Sequence, residues 1–241
     1  MIENKSSSFE DINKSSFVQS GFSEIAHKYD LFNDLVTQRM HRVWKRYLIQ
    51  HTGLKQGGTA LDICCGTGDI LEGLADKVGR QGTATGLDFS PGMLNVAKTR
   101  ATTGGKFLLQ GDAMSLPIKS GSLDAVTVGF GLRNLDNLET TLVEVIRVLK
   151  PGGRFLCLDM GKVKLPIVKS IFTYYFFQIV PRIGKILCPG QEMFDYFPKS
   201  TLNYPSQQKL AQILSNIGFS EVRFRNFNFG AAVVHVAIKS N

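Results

Sequence analysis

The segment Leu61-Asp62-Ile63-Cys64-Cys65-Gly66-Thr67-Gly68-Asp69 constrains the fold more than any other, because an apolar run breaks at two glycines and resumes with helical periodicity. A strand that feeds a helix through a glycine turn commits the chain to strand-helix-strand units, and so to a sheet of parallel strands. The next apolar run, residues 83–87, ends at Asp88, twenty residues beyond Gly68. A carboxylate at the tip of the second strand of such a unit accepts hydrogen bonds from ribose hydroxyls. The spacing therefore predicts a crevice for a nucleoside.

What the nucleoside carries is decided beside the loop. A dinucleotide site uses the spacing G-x-G-x-x-G, whose third glycine lets the helix pack on the strand while its first amides reach a pyrophosphate. Here that position is Leu71. Asp69, directly after the second glycine, would repel a pyrophosphate and favours a cationic or amine-bearing ligand. S-adenosylmethionine carries a sulfonium and an α-amino group, so Asp62, Gly66, Thr67, Gly68, Asp69 and Asp88 together point to it, with S-adenosylhomocysteine as the product. A tight turn with no ligand is the plain alternative for the two glycines taken alone. The four cysteines have no metal-ligand spacing, so no metal is expected and they read as reduced thiols.

Strand and helix signals alternate onward from the loop. Strands are predicted over 59–64, 83–87, 106–110, 123–128 and 154–159, with helices over 69–78, 90–100 and 138–149. Ser90 before Pro91 is a helix start, and Pro151-Gly152-Gly153 stops the third helix. A helical stretch over 165–183, a helix opened by Pro205 and running to Asn216, and a hairpin over 221–227 and 232–238 complete the pattern. Ligands on such sheets gather at the carboxyl ends of the strands, here Cys64, Asp88, Asp112, Gly129 and Asp159.

With 241 residues and 43% apolar content, one large α/β domain suffices. Residues 1–20, rich in Ser, Asn and Lys and without an apolar core, read as a flexible tail rather than a secretion signal. Residues 21–241 form the domain, with a helical lid over 21–50 and a helical insertion over 160–204. The net charge of +8 suits nucleic acid or acidic lipid. Basic residues interleaved with apolar ones at Arg39, Arg42, Lys45 and Arg46, and again at Lys162, Lys164, Lys169, Arg182 and Lys185, fit a membrane surface at least as well as an RNA groove, and a plain solvated face remains open. The most apolar run, residues 171–180, is too short to span a bilayer. It reads either as a buried core helix or as the aromatic mouth of a site for a greasy substrate.

Four further pieces of the chain belong together: the run from Tyr29-Asp30-Leu31-Phe32-Asn33-Asp34 to Arg46, the loop Gly129-Phe130-Gly131-Leu132-Arg133-Asn134, the segment from Arg147 to Gly153, and Val180-Pro181-Arg182-Ile183-Gly184. With them the chain resembles the demethylmenaquinone and demethylubiquinone C-methyltransferase family, from about Phe22 to the end. The segment ending in Lys150-Pro151-Gly152-Gly153 is shared by many methyltransferases; the other pieces are more particular.

The resemblance implies a Rossmann-like class I methyltransferase: an α/β fold with a seven-stranded, mostly parallel sheet, an antiparallel C-terminal hairpin and helices on both faces. It implies methyl transfer from S-adenosylmethionine to a ring carbon of a lipophilic prenylated quinol, of the demethylmenaquinol type, in menaquinone or ubiquinone biosynthesis. Carried over by position, Thr67, Asp88 with Phe89, Asp112, Ala113 and Gly129 line the cofactor. The chain departs from the family at Asp112, commonly Asn, at Gly129, Ser in some members, and at Cys64-Cys65.

The chemistry needs alignment and a group that removes or stabilises the phenolic proton beside the nucleophilic carbon. Arg133 is the first candidate, with a structural salt bridge as its alternative, and Asn134 can hydrogen-bond a ring oxygen. Tyr29 and Asp30 belong to the lid, with Asp30 a candidate base; His41 and His235 read as structural. The expected partners are the quinol and an anionic membrane surface, with no nucleic acid and with a homodimer as a further expectation. The expected location is cytoplasmic, on the inner face of the cytoplasmic membrane. An RNA methyltransferase and a noncatalytic cofactor-binding protein are the alternatives from other classes.

Overall fold

The computed structural model describes residues 14–100, 102 and 104–240. Its strands are β1 at Thr59–Ile63, β2 at Thr83–Asp88, β3 at Lys106–Gln110, β4 at Leu123–Gly129, β5 at Leu149–Met160, β6 at Phe219–Phe227 and β7 at Ala232–Lys239. Its helices are α1 at Lys14–Val36, α2 at Met40–His51, α3 at Asp69–Val78, α4 at Pro91–Lys98, α5 at Leu138–Val148, α6 at Pro166–Tyr174, α7 at Val180–Leu187, α8 at Met193–Ser200 and α9 at Gln207–Ile217.

The strands form one sheet in the order β3-β2-β1-β4-β5-β7-β6. Neighbours from β3 to β5 are parallel, while β7 runs antiparallel to both β5 and β6. This is the sheet expected from the alternating pattern. Central strands read as nearly continuous apolar runs because both faces are covered. Leu61, Ile63, Val126, Val128, Phe155 and Cys157 pack with Leu142 of α5 and Leu210 of α9. Their alternates Ala60, Ala125, Leu156 and Leu158 pack with Leu48 of α2 and Leu71 of α3.

Local sequence sets the helix starts. The Ser90 hydroxyl accepts from the Met93 amide at 3.3 Å ahead of Pro91, and Asn137 caps α5 through the Thr140 amide at 3.0 Å. At the far end of α9, Gly218 takes a left-handed conformation, which glycine adopts without steric cost.

Three expectations are corrected. The tail predicted over 1–20 is helical from Lys14, where Val18 is buried against the lid core; residues 1–13 lie outside the described ones. The helix predicted over 165–183 is interrupted by a π turn at Tyr175–Ile179. Pro181 has no N–H for the carbonyl four residues back, and a widened turn accommodates that loss. Helix α8, short and with Pro198 inside it, lies within the helical insertion expected over 160–204. Strand β5 begins at Leu149, paired with Leu123, with a register irregularity before Arg154. Pro151 and the glycines do end α5, but they run straight into the strand.

A third core lies outside the sheet, where Val18, Phe22, Ile25 and Phe32 of α1 meet Met93, Val180, Phe194 and Phe197. The ring centroids of Phe32 and Phe194 are 4.8 Å apart, and those of Phe32 and Phe197 5.5 Å. This aromatic layer fixes α1 across the carboxyl edge of the sheet.

Candidate active site

The glycine loop leaves β1 through two residues in left-handed backbone, Cys64 (φ 51°) and Gly66 (φ 55°), and enters α3 from Gly68 (φ 85°). A side chain at Cys64 tolerates that conformation only where the surroundings impose it, and such strain clusters at ligand sites. The missing third glycine has a compensation across the interface. A Cβ at Gly86 would lie 2.6 Å from Leu71 Cδ2, so close helix-to-sheet packing is provided by a glycine on β2 facing Leu71. Asp88 then closes the loop: its carboxylate accepts from the Gly66 amide at 2.8 Å and the Ser90 amide at 2.9 Å. Burial nevertheless raises its pKa above the ordinary carboxylate value.

Beside this loop is a cavity of about 290 Å³ whose lining includes Gly66, Asp88, Phe89, Asp112, Ala113 and Gly129. Its carboxylates are Asp88, Asp112 and Asp136, and among the described residues no lysine, arginine or histidine lines it. A pyrophosphate has nothing cationic to meet there, whereas a sulfonium or ammonium group suits it. Residues of α1, including Gln19 and Phe22, form the roof, and Gln19 Nε2 donates to the Phe89 carbonyl at 2.6 Å. The Cys64 thiol also faces this cavity; burial, and then Asp88, raise its pKa well above the usual thiol value, so it stays protonated.

A second cavity, of about 370 Å³, adjoins the first, and Tyr29 and Phe130 line both. Its walls are mostly apolar, from Trp44, Phe172, Tyr175, Phe176 and Phe197, with Arg133 as the one charged residue among the described ones. Phe130 sits between the two at φ 60°, a second strained position. Arg133 donates through Nη1 to Asp159 Oδ1 at 2.6 Å and to the Phe130 carbonyl at 2.8 Å, and through Nε to Ser200 Oγ at 3.2 Å. Burial opposes its charge, but the adjacent Asp159 outweighs that and leaves the guanidinium above its ordinary pKa. Arg133 thus makes the structural salt bridge that was its alternative, and it also faces a cavity. Among the described residues its Nη2 makes no hydrogen bond.

The remaining predicted residues divide. Asn134 lines the first cavity rather than standing beside Arg133 in the second, and its Nδ2 donates to the Phe130 carbonyl at 3.3 Å. Asp62 lines neither cavity; it is buried in β1 and accepts from Thr127 Oγ1 at 2.6 Å, and burial pushes its pKa up to about 7. Thr67 donates to Asp30 Oδ1 at 2.7 Å, and Arg100 pairs with the other oxygen of Asp30. Asp30 is therefore engaged by a cation and lines neither cavity. Asp69 is likewise taken by protein cations, at 2.7 Å from Lys45 and 3.8 Å from Arg100. Burial disfavours its charge, yet Lys45 and Arg100 hold its pKa below the ordinary value. The negative character read from Asp69 falls in the cavity to Asp88 and Asp112 instead, since Asp136 pairs with Lys14 at 3.6 Å. His41 is buried against Asp34 at 2.9 Å, and His235 Nε2 meets the Gln207 carbonyl at 2.9 Å.

Three contributors are not predicted from the sequence. The Phe130 junction needed its positive φ, which only a glycine would have announced. Asp159 was placed at a strand tip but not paired with Arg133. The first turns of the roof, with Val18 and Gln19, fall in the stretch read as a tail, while Phe22, Ile25 and Ala26 belong to the lid expected over 21–50; the helical spacing running back from Ala26 to Val18 is the signal that joins them.

A model of the ubiE/COQ5 methyltransferase family matches residues 10–239. The demethylmenaquinone methyltransferase of Leptospira interrogans is 47% identical over 234 residues, covering 94% of each chain. That of Staphylococcus epidermidis is 39% identical over 225 residues, covering 93% of each. Among solved structures, a SAM-dependent methyltransferase of Thermotoga maritima superposes with a TM-score of 0.65 at 21% identity, over 92% of this chain and 99% of that one. Phosphoethanolamine N-methyltransferase 2 of Haemonchus contortus, solved with phosphomonomethylethanolamine and S-adenosylhomocysteine, superposes with a TM-score of 0.59 at 16% identity, over 82% of this chain and 52% of that one. At such identities the superpositions speak for the fold alone.

Proposed function

This chain belongs to the ubiE/COQ5 methyltransferase family, and from that premise we propose that it methylates a ring carbon of a prenylated, demethylated quinol of the demethylmenaquinol type, using S-adenosylmethionine. The observation that carries the proposal is the pair of adjoining cavities: one lined by carboxylates without a cation, one apolar with a single buried guanidinium, sharing Tyr29 and Phe130. S-adenosylmethionine, when bound, supplies an activated methyl group on a sulfonium. Asp88 would take its ribose hydroxyls, with Asp112 and Ala113 at the adenine end and Gly129 offering backbone only.

Arg133 is assigned to the acceptor. Its Nη2 is the donor left over after Asp159, Phe130 and Ser200 are satisfied, and a guanidinium held in an apolar wall favours a phenolate over a phenol. Asp159 positions that guanidinium. Tyr29 and Phe130 align the ring edge with the first cavity, and orientation of this kind supplies roughly 7–11 kcal/mol of barrier reduction. Asn134 belongs with the donor side.

The test is incubation of the purified protein with labelled S-adenosylmethionine and a panel of demethylated naphthoquinols and benzoquinols in detergent. Label is expected in the lipid fraction with at least the naphthoquinols. No incorporation with any quinol refutes the assignment.

A further inference from the structure

We propose that the outward face of α6, with Phe229, seats this protein on an anionic lipid bilayer so that the apolar cavity opens into the hydrocarbon and draws the substrate tail from there. This rests on the quinol reading of the substrate.

The first observation is the two-sided character of α6. Val168, Ile171, Phe172, Tyr175 and Phe176 follow helical spacing and line the apolar cavity. A helix that only walls a cavity would be polar on its other side. Here Ile167 is 78% exposed and Tyr174, two turns on, is exposed with it, among Lys169, Ser170 and Thr173, and no residue of α6 or of the π turn is buried. Phe229, 70% exposed, meets Ile171 of α6, 66% exposed, in the lining of the cavity and extends the apolar surface. Large apolar side chains exposed together, rimmed by polar ones, mark an interaction site.

The second observation is that the mouth of the cavity belongs to that surface. Ile171 and Phe229 are both exposed and both line the cavity, so they form its rim. An apolar tail leaving by this mouth would enter water unless the rim met something apolar.

The third observation is charge, and it selects the occupant. From Gly161 to Gln191 there is no aspartate or glutamate, while Lys162, Lys164, Lys169, Arg182 and Lys185 are all present. Lys185 pairs with Asp195, and Lys162 donates to the Thr201 carbonyl. Lys164, Lys169 and Arg182 are exposed and, among the described residues, form no ion pair. Cations flanking an apolar helix face complement an anionic headgroup layer over hydrocarbon. No helix among the described residues is long and apolar enough to cross a membrane, so the contact is with one leaflet.

The test uses the full chain with phosphatidylcholine vesicles, with and without phosphatidylglycerol, in a flotation assay. Three unpaired cations predict on the order of a hundredfold preference for the anionic vesicles, reversed by high salt. The variant Ile167→Glu/Lys169→Glu, and separately the charge-only variant Lys164→Gln/Lys169→Gln, are expected to lose most of that binding. All of the substituted side chains are exposed, and thermal unfolding checks that the fold is retained. Methyl transfer to a short-tailed, water-soluble quinol should be unchanged in both, while transfer to a long-tailed quinol embedded in vesicles should fall with binding. Equal binding of wild type to both vesicle types, wild-type-like binding by the variants, or a dimer in sedimentation that the Ile167→Glu/Lys169→Glu variant dissolves without any vesicle binding by the wild type, each overturns the proposal. If wild type binds anionic vesicles but methylates no quinol, the substrate reading fails and the docking face stands.

Discussion

Asp30 separates a lid from a catalyst, and Asp30→Asn tells them apart. The carboxylate on α1 accepts from Thr67 in the glycine loop at 2.7 Å and pairs with Arg100, which also donates to the Thr67 carbonyl at 2.6 Å. This clasp ties the roof of the first cavity to the loop beneath it. The side chains of Asp30 and Arg100 are 41% and 22% exposed, so solvent screens much of their attraction. A hydrogen bond to a charged group contributes about 1.5–3 kcal/mol when desolvated, and an exposed ion pair about 0–1. At this exposure the charge is worth about 1–2 kcal/mol to the closed lid, and a ligand held only by that state loses about 5- to 30-fold in affinity. A general base at this position would instead cost about 10²- to 10⁴-fold in turnover and remove a limb of the pH profile. Calorimetric titration with S-adenosylhomocysteine, and single-turnover rates at saturating donor across pH, measure the two quantities independently. A hundredfold loss of rate at unchanged affinity and an altered pH limb would refute the clasp.

On the proposed function, Asp88→Ala removes the carboxylate that would take the ribose hydroxyls and that also accepts from the Gly66 and Ser90 amides; hydrogen bonds to a charged group are worth about 1.5–3 kcal/mol each, so donor binding should weaken by roughly 10²-fold or more in calorimetry. Arg133→Ala leaves Asp159 buried without its cation, so chemical denaturation should report a loss of about 3–5 kcal/mol, while Arg133→Lys should retain donor affinity and lose turnover. Gly129→Ser places a Cβ 2.4 Å from Ile70 Cδ1; overpacking of this kind costs about 1–3 kcal/mol, and adding Ile70→Val should recover part of it in urea unfolding. Burial depresses the pKa of His235 from 6.5 to about 4, so the unfolded chain binds the extra proton between those values. Its contribution is therefore present above about pH 6.5 and lost as pH falls toward 4, and His235→Asn should flatten the acid side of a stability titration over that window.

The parallel sheet, its switch from helix-spaced to strand-spaced segments and the place of the nucleoside crevice were all determined by the sequence, because periodicity, glycine turns and caps act over a few residues. Asp88, Asp112 and Gly129 could be assigned to one edge from the chain alone, since strand tips in a doubly wound sheet share that edge. Charge pairing was not legible in the same way. Asp69 beside the loop and Asp30 in the lid both looked available, yet Lys45 of α2 and Arg100, just past α4, reach them. Arg133 was found, but its ion pair with Asp159 depends on β4 and β5 lying side by side. The start of the roof at Lys14, ahead of the lid read over 21–50, and the two-cavity arrangement around Tyr29 and Phe130 were also decided only in three dimensions. Local rules fix what each segment becomes; which carboxylate keeps its charge for a ligand depends on the cations that tertiary packing brings to it.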